Sequence, residues 1–152
     1  MKKLLIASSI VAAAVSSQAF AADQAGNANV DIVSAITIAE TREVDFGTIV
    51  NVNGTCTMGS GGGLSGTAGM ACSGTETDGL FTITGTTGSV VDISLSGGNS
   101  DATLVFNPVL DGAVSRTLTG GTTTANIIGN IVLTDTSDGD KDIAYTFTAN
   151  YQ

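Results

Sequence analysis

Four aspartates and two cysteines are the residues of this chain whose types and spacing could do chemistry. Asp135, Asp138, Asp140 and Asp142 offer hard oxygen ligands at near-alternating positions, the donor type that Ca2+ takes. Gly139 interrupts them, and no Glu follows at the spacing an EF-hand loop requires. An acidic turn that keeps a strand pair soluble is therefore the expectation, with Ca2+ as the minor alternative. Cys56 and Cys72 do not have the spacing of a zinc site, and the chain contains no His to complete one.

Catalysis has still less to work with. Without His, and with both cysteines expected to be oxidised, the usual nucleophile and base pairs are missing, and no pair of carboxylates sits in a context that suggests a raised pKa. The run Gly59-Ser60-Gly61-Gly62-Gly63-Leu64-Ser65-Gly66 invites comparison with a phosphate-binding loop, but lacks the Lys-Ser/Thr pair and the helix such a loop needs. The expectation is a non-enzyme without a cofactor, in which this run is a flexible surface loop.

The start of the chain sets the compartment. Met1, Lys2 and Lys3 precede an apolar run from Leu4 to Val15, and Ala19 and Ala21 form a small-x-small end. That is the pattern of a secretory signal peptide over residues 1–21, with an apolar run too short to span a bilayer. Cleavage after Ala21 leaves residues 22–152, 131 in all, enough for a single β domain. In an exporting cell the paired cysteines read as a disulfide, which would add about 3 kcal/mol by constraining the unfolded chain. Loss of Lys2 and Lys3 takes the formal charge from −9 to −11, with only Arg42, Arg116 and Lys141 left to oppose fourteen acids. Such a body repels nucleic acid and anionic membranes. No later apolar run is long enough for a direct membrane span.

The elements that must position these residues read as strands. Gly and Thr are abundant, Pro108 is the sole proline, and β-branched side chains dominate the apolar set, which favours pleated over helical backbone. Ala28, Val30, Ile32, Ile36 and Ile38 fall on one face of an extended segment. Val44 to Val50 reads as a second strand, with Gly47 marking a bulge or a close backbone approach. Leu80 to Thr84, Ser89 to Ser96, Thr103 to Phe106 (stopped by Pro108), Val114 to Thr119 and Ile127 to Thr134 follow. Asp138-Gly139 then signals a hairpin into the last strand, where Ile143, Tyr145, Phe147, Ala149 and Tyr151 alternate with polar residues. Seven or eight short strands predict an all-β antiparallel sandwich or barrel.

The two ends pose one question. The segment from Ala28 to Ile38 either forms the first strand of its own sandwich or, over residues 22–34, is donated to the open edge of a neighbouring molecule. Burial in a neighbour would contribute about 1.5 to 3 kcal/mol for each full-sized aliphatic.

These ends resemble those of chaperone-usher pilin subunits, which commonly finish in an alternating apolar strand with a penultimate tyrosine, here Tyr151, and a glycine fourteen residues from the end, here Gly139. Val44-Asp45-Phe46-Gly47-Thr48-Ile49 is also similar to the start of a bacterial pilin-like domain family related to spore coat U-type pilins. The resemblance implies an incomplete immunoglobulin-like sandwich. It also implies a periplasmic chaperone that lends the missing strand, an outer-membrane usher, and polymerisation when a neighbour's N-terminal extension replaces the chaperone. Ala28, Val30, Ile32 and Ile36 would then be donor residues, and Gly139, Ile143, Tyr145, Phe147, Ala149 and Tyr151 the receiving edge.

The expected function is a subunit of an extracellular fimbria that supports adhesion or biofilm. The alternative is a monomeric secreted or surface β-sandwich that binds a carbohydrate or matrix with its N-terminal strand paired in cis. An outer-membrane barrel is disfavoured by short strands and sparse aromatics.

Overall fold

A computed structural model describes residues 24–67 and 69–152; the expected signal peptide lies outside them. The described chain falls into two units, residues 24–31 and 32–152. Residues 24–31 are irregular and exposed, Ala28 and Val30 among them.

The second unit is an all-β antiparallel sandwich, with no helix among the described residues. Its strands are β1 (Thr37–Arg42), β2 (Thr48–Ile49), β3 (Gly54–Met58), β4 (Leu64–Gly66), β5 (Cys72–Ser73) and β6 (Gly79–Thr84). They continue as β7 (Val90–Ser96), β8 (Gly98–Asp101), β9 (Leu104–Asp111), β10 (Ser115–Thr117), β11 (Thr122–Leu133) and β12 (Thr146–Tyr151). More strands appear than the seven or eight expected because the apparent loops are themselves paired.

β11 organises the larger sheet. Ala125, Ile127 and Leu133 point inward along it, the alternation that a half-buried strand imposes. β6 pairs with residues 122–127 and β3 with residues 129–133, while β9 runs opposite residues 126–133. Since β9 overlaps both neighbours, they share the other flank of β11 end to end. Gly129 lies at that junction with φ 151°, and a Cβ there would collide with the Asn107 carbonyl oxygen. β1 extends the sheet beyond β6, β4 extends it beyond β3, and β8 pairs with β9. The second sheet is β10-β7-β12, and β2 pairs with β5.

Two clusters fill the interior. Phe46, Met58, Phe81, Leu104, Phe106, Ile127 and Leu133 belong to one; Ile83, Val91, Ile93, Leu118, Ala125 and Ala149 form the other. Cys56 and Cys72 form the expected disulfide, with Cα atoms 6.1 Å apart, joining β3 to β5.

Several expectations are corrected. The glycine-rich run is not a free loop: Cys56, Thr57 and Met58 pair with Gly66, Ser65 and Leu64, and left-handed glycines at 61–63 make the turn of that hairpin. Pro108 does not stop its strand, because β8 ends opposite Phe106 and leaves proline without a ladder partner on that flank. The first strand begins at Thr37, and only Thr48 and Ile49 of the Val44–Val50 stretch are strand, although Gly47 does bring backbone close: a Cβ there would lie 2.8 Å from the Ser73 carbonyl oxygen.

The hairpin at Asp138-Gly139 does not form. β11 and β12 belong to different sheets, and residues 134–145 carry the chain from one to the other. Side chains of the preceding loop hold that crossing: Asn53 accepts the Asp135 N–H at 2.7 Å, and Asn51 Nδ2 donates to the Thr136 carbonyl at 2.7 Å. Hydrogen bonds satisfied there are unavailable for a two-residue turn.

Candidate functional site

β12 is a sheet edge. Its partner is β7, antiparallel from Thr146 opposite Ser96 to Tyr151 opposite Val91, and no other described strand pairs with it. The Gln152 N–H donates to the Val90 carbonyl at 3.0 Å, so even-numbered residues of this stretch direct main-chain groups at β7. Phe147, Ala149 and Tyr151 therefore present theirs to the open flank.

The side chains of those same residues close the core beneath. Phe147 stacks on Phe81 with centroids 4.3 Å apart and planes 8° apart, and Ala149 is buried. Tyr145, just ahead of β12, meets Phe81 and Phe106 edge-on at 6.1 and 5.3 Å. Its hydroxyl donates to Glu40 Oε1 on β1 at 3.4 Å. Burial, the Glu40 charge and hydrogen bond, and the Glu43 charge all oppose ionisation and push the phenol well above its ordinary range.

Tyr151 makes the second tie to the N-terminal region. Its hydroxyl accepts the Thr86 N–H at 2.7 Å and donates to the Ser34 carbonyl at 2.7 Å. The Ser34 N–H in turn donates to Thr86 Oγ1 at 2.7 Å. These contacts bring the start of β1 against β12, yet β1 pairs only with β6 and every residue of it is exposed, Ile38 included at 40%. Between the β1 edge of one sheet and the β12 edge of the other, no described strand closes the sandwich.

The expected donor residues divide. Val30 and Ile32 are 76% and 85% exposed, and Ala28 is exposed. Ile36 is half-buried against the cluster that contains Ile83 and Ala149. Ser34 marks the change from exposed to anchored chain. Among the expected edge residues, Gly139 is an exposed left-handed turn residue and Ile143 packs on the aromatic cluster, both upstream of β12 itself.

A cavity of about 620 Å3 opens beside the crossing segment. Leu104, Phe106, Ile131 and Leu133 of β9 and β11 line its depth, and Asp45, Asp138, Asp140, Lys141 and Asp142 stand around it. Of the four aspartates first considered for Ca2+, Asp135 accepts from Asn53 Nδ2 and Asp138 from Asn51 Nδ2. No group of three or more acidic, Cys or His side chains among the described residues is arranged to hold a metal.

Sequence reasoning missed Thr86, Asn51, Asn53 and Phe81. The Gly85-Thr86-Thr87-Gly88 run reads only as a turn, and nothing in it signals that Thr86 meets Tyr151. No family model matches the chain, and no curated protein or solved structure matches it either. No described helix is long and apolar enough to cross a membrane.

Proposed function

We propose that this chain is a structural subunit of an extracellular bacterial fimbria, not an enzyme, assembled by donor-strand complementation. The observation that carries the reading is the unpaired flank of β12 in a chain whose segment ahead of Ser34 is exposed and alternates apolar residues. An incoming strand would gain main-chain hydrogen bonds from Phe147, Ala149 and Tyr151 and would cover the half-buried Phe147. Its source would be residues 22–33 of another copy, delivered after export through a periplasmic chaperone and an outer-membrane usher. The sandwich would then be immunoglobulin-like with one strand supplied in trans, and the filament would serve adhesion or biofilm.

The test compares the mature chain, residues 22–152, with a form starting at Ser34. The mature chain is expected to form filaments visible by electron microscopy, and the shortened form to fold but stay monomeric. A mature chain that remains a stable monomer at high concentration would sink the proposal. A second reading, a monomeric secreted or surface sandwich complete in cis, is favoured by one observation: Thr37–Arg42 already pairs with β6 of its own chain.

A further inference from the structure

The cavity beside the crossing segment is lined mainly by β9, β11 and that segment, and reaches Tyr145 just ahead of β12. Its volume, about 620 Å3, falls in the range that accepts a drug-sized molecule. The depth is apolar: Leu104 and Phe106 reach it from β9, Ile131 and Leu133 from β11, and Phe46 packs edge-on to Phe106 at 5.7 Å. Such walls favour an aliphatic or aromatic body over a sugar.

The mouth carries a net negative charge. Asp45, Asp138, Asp140 and Asp142 face a single cation, Lys141, whose Nζ is engaged by Ser137 Oγ at 2.8 Å instead of by a carboxylate. Asp45 is partly used by the Gly47 N–H and Asp138 by Asn51, each at 2.7 Å. Asp140 and Asp142 have no hydrogen bond or ion pair among the described residues and are exposed. The rim is also pinned, since Asn51 Nδ2 donates to both the Thr136 carbonyl and Asp138, holding the crossing segment over the opening.

Apolar depth under a net-negative rim selects one ligand class. An anion would meet four carboxylates at this opening. We propose that the cavity binds a small amphiphilic organic cation, its hydrocarbon body on Leu104, Phe106, Ile131 and Leu133 and its ammonium group between Asp140 and Asp142. Each rim carboxylate is solvent-exposed, so the charge sets selectivity while the apolar body supplies most of the affinity.

The probes are octylammonium, octanesulfonate and octanol, which share a tail and differ in head charge, titrated below micelle formation into the 15N-labelled mature chain at low salt. Octylammonium is expected to shift the amides of residues 104–106, 131–133 and 138–143 saturably. Octanol should bind more weakly, and octanesulfonate should not bind. The double substitution Asp140→Asn with Asp142→Asn, both on exposed side chains, is expected to weaken octylammonium roughly fivefold while leaving octanol unchanged. Octanesulfonate binding as tightly as octylammonium, shifts confined to other surfaces, or no saturable binding at all would overturn the proposal.

Discussion

The hydroxyl of Tyr151 lies 2.7 Å from the carbonyl oxygen of Ser34, 117 residues earlier in the chain. One side chain at the end of β12 therefore fixes the point where the N-terminal segment leaves the fold. Tyr151→Phe removes that bond and also strands the Thr86 N–H, so it should cost about 1–3 kcal/mol in urea unfolding. Hydrogen exchange at Ser34–Ile38 should accelerate more than exchange in β11. Unchanged exchange near Ser34 would mean that β1 is held by its pairing with β6 alone.

Tyr145 makes the alkaline limb of stability testable. In the unfolded chain a tyrosine ionises near its ordinary value of about 10. Burial, then Glu40, then Glu43 keep the folded phenol protonated well beyond that. Above about pH 10 the unfolded state has lost a proton that the folded state retains, so stability falls as pH rises; below it the phenol contributes no pH dependence. Tyr145→Phe should flatten this fall in urea midpoints measured from about pH 8 to 11, with less than about 1 kcal/mol change at neutral pH, since the bond to Glu40 is long at 3.4 Å. An equally steep decline in the variant would assign it to other groups.

Phe81 supports the open edge from below, stacked on Phe147 and edge-on to Tyr145. Phe81→Ala should cost about 3–5 kcal/mol, as expected for a buried aromatic. A double-mutant cycle with Phe147→Ala should show coupling of about 0.5–1.5 kcal/mol. Additive costs would indicate that the two rings merely share the core.

The disulfide ties β3 to β5 across the glycine-rich hairpin. Cys56→Ala with Cys72→Ala should lower stability by about 3 kcal/mol through the unfolded chain, plus the packing lost at buried Cys56. Thermal melts with and without reductant should separate the wild type by a similar margin and leave the variant unaffected by reductant.

Period-two alternation made the all-β class legible, because each strand must bury one face: Val91 with Ile93 on β7 follows directly from it, whereas buried Ala125 lies ahead of the strand expected from Ile127. The cysteine pairing was legible from the expected signal peptide and the absence of His. Sheet membership was not. Asp138-Gly139 carries the local signature of a hairpin, and what defeats it is tertiary: Asn51 and Asn53 capture residues 135–138 from 82 to 87 positions away. The hairpin turn at 61–63 was hidden for the opposite reason, since a glycine run suits a free loop and a tight turn equally. Of the candidate site, Tyr145, Phe147, Ala149 and Tyr151 were legible as one face, but periodicity carries no information on which flank of a strand is paired. Ile36 illustrates the limit: it continues the alternation of Val30 and Ile32, yet it packs on its own core while they stay exposed.

The main-chain polarity of β12 yields the sharpest test of the edge. The Ala149 N–H points to the open flank, whereas the Thr148 N–H points at β7 and belongs to the ladder. Proline removes one donor, and it is tolerated on an edge strand only where that donor faces outward. Thr148→Pro should therefore break the β7–β12 ladder and cost about 3 kcal/mol or more, whereas Ala149→Pro should be markedly milder in the isolated domain. If an incoming strand uses the open flank, Ala149→Pro should nonetheless abolish filament formation by a folded protein, since the removed donor lies at the centre of the new ladder. Urea unfolding separates the two variants by stability, and electron microscopy separates them by assembly. Equal destabilisation by both prolines would show that the flank assigned as open is paired, and filaments formed by the Ala149→Pro protein would show that assembly proceeds without it.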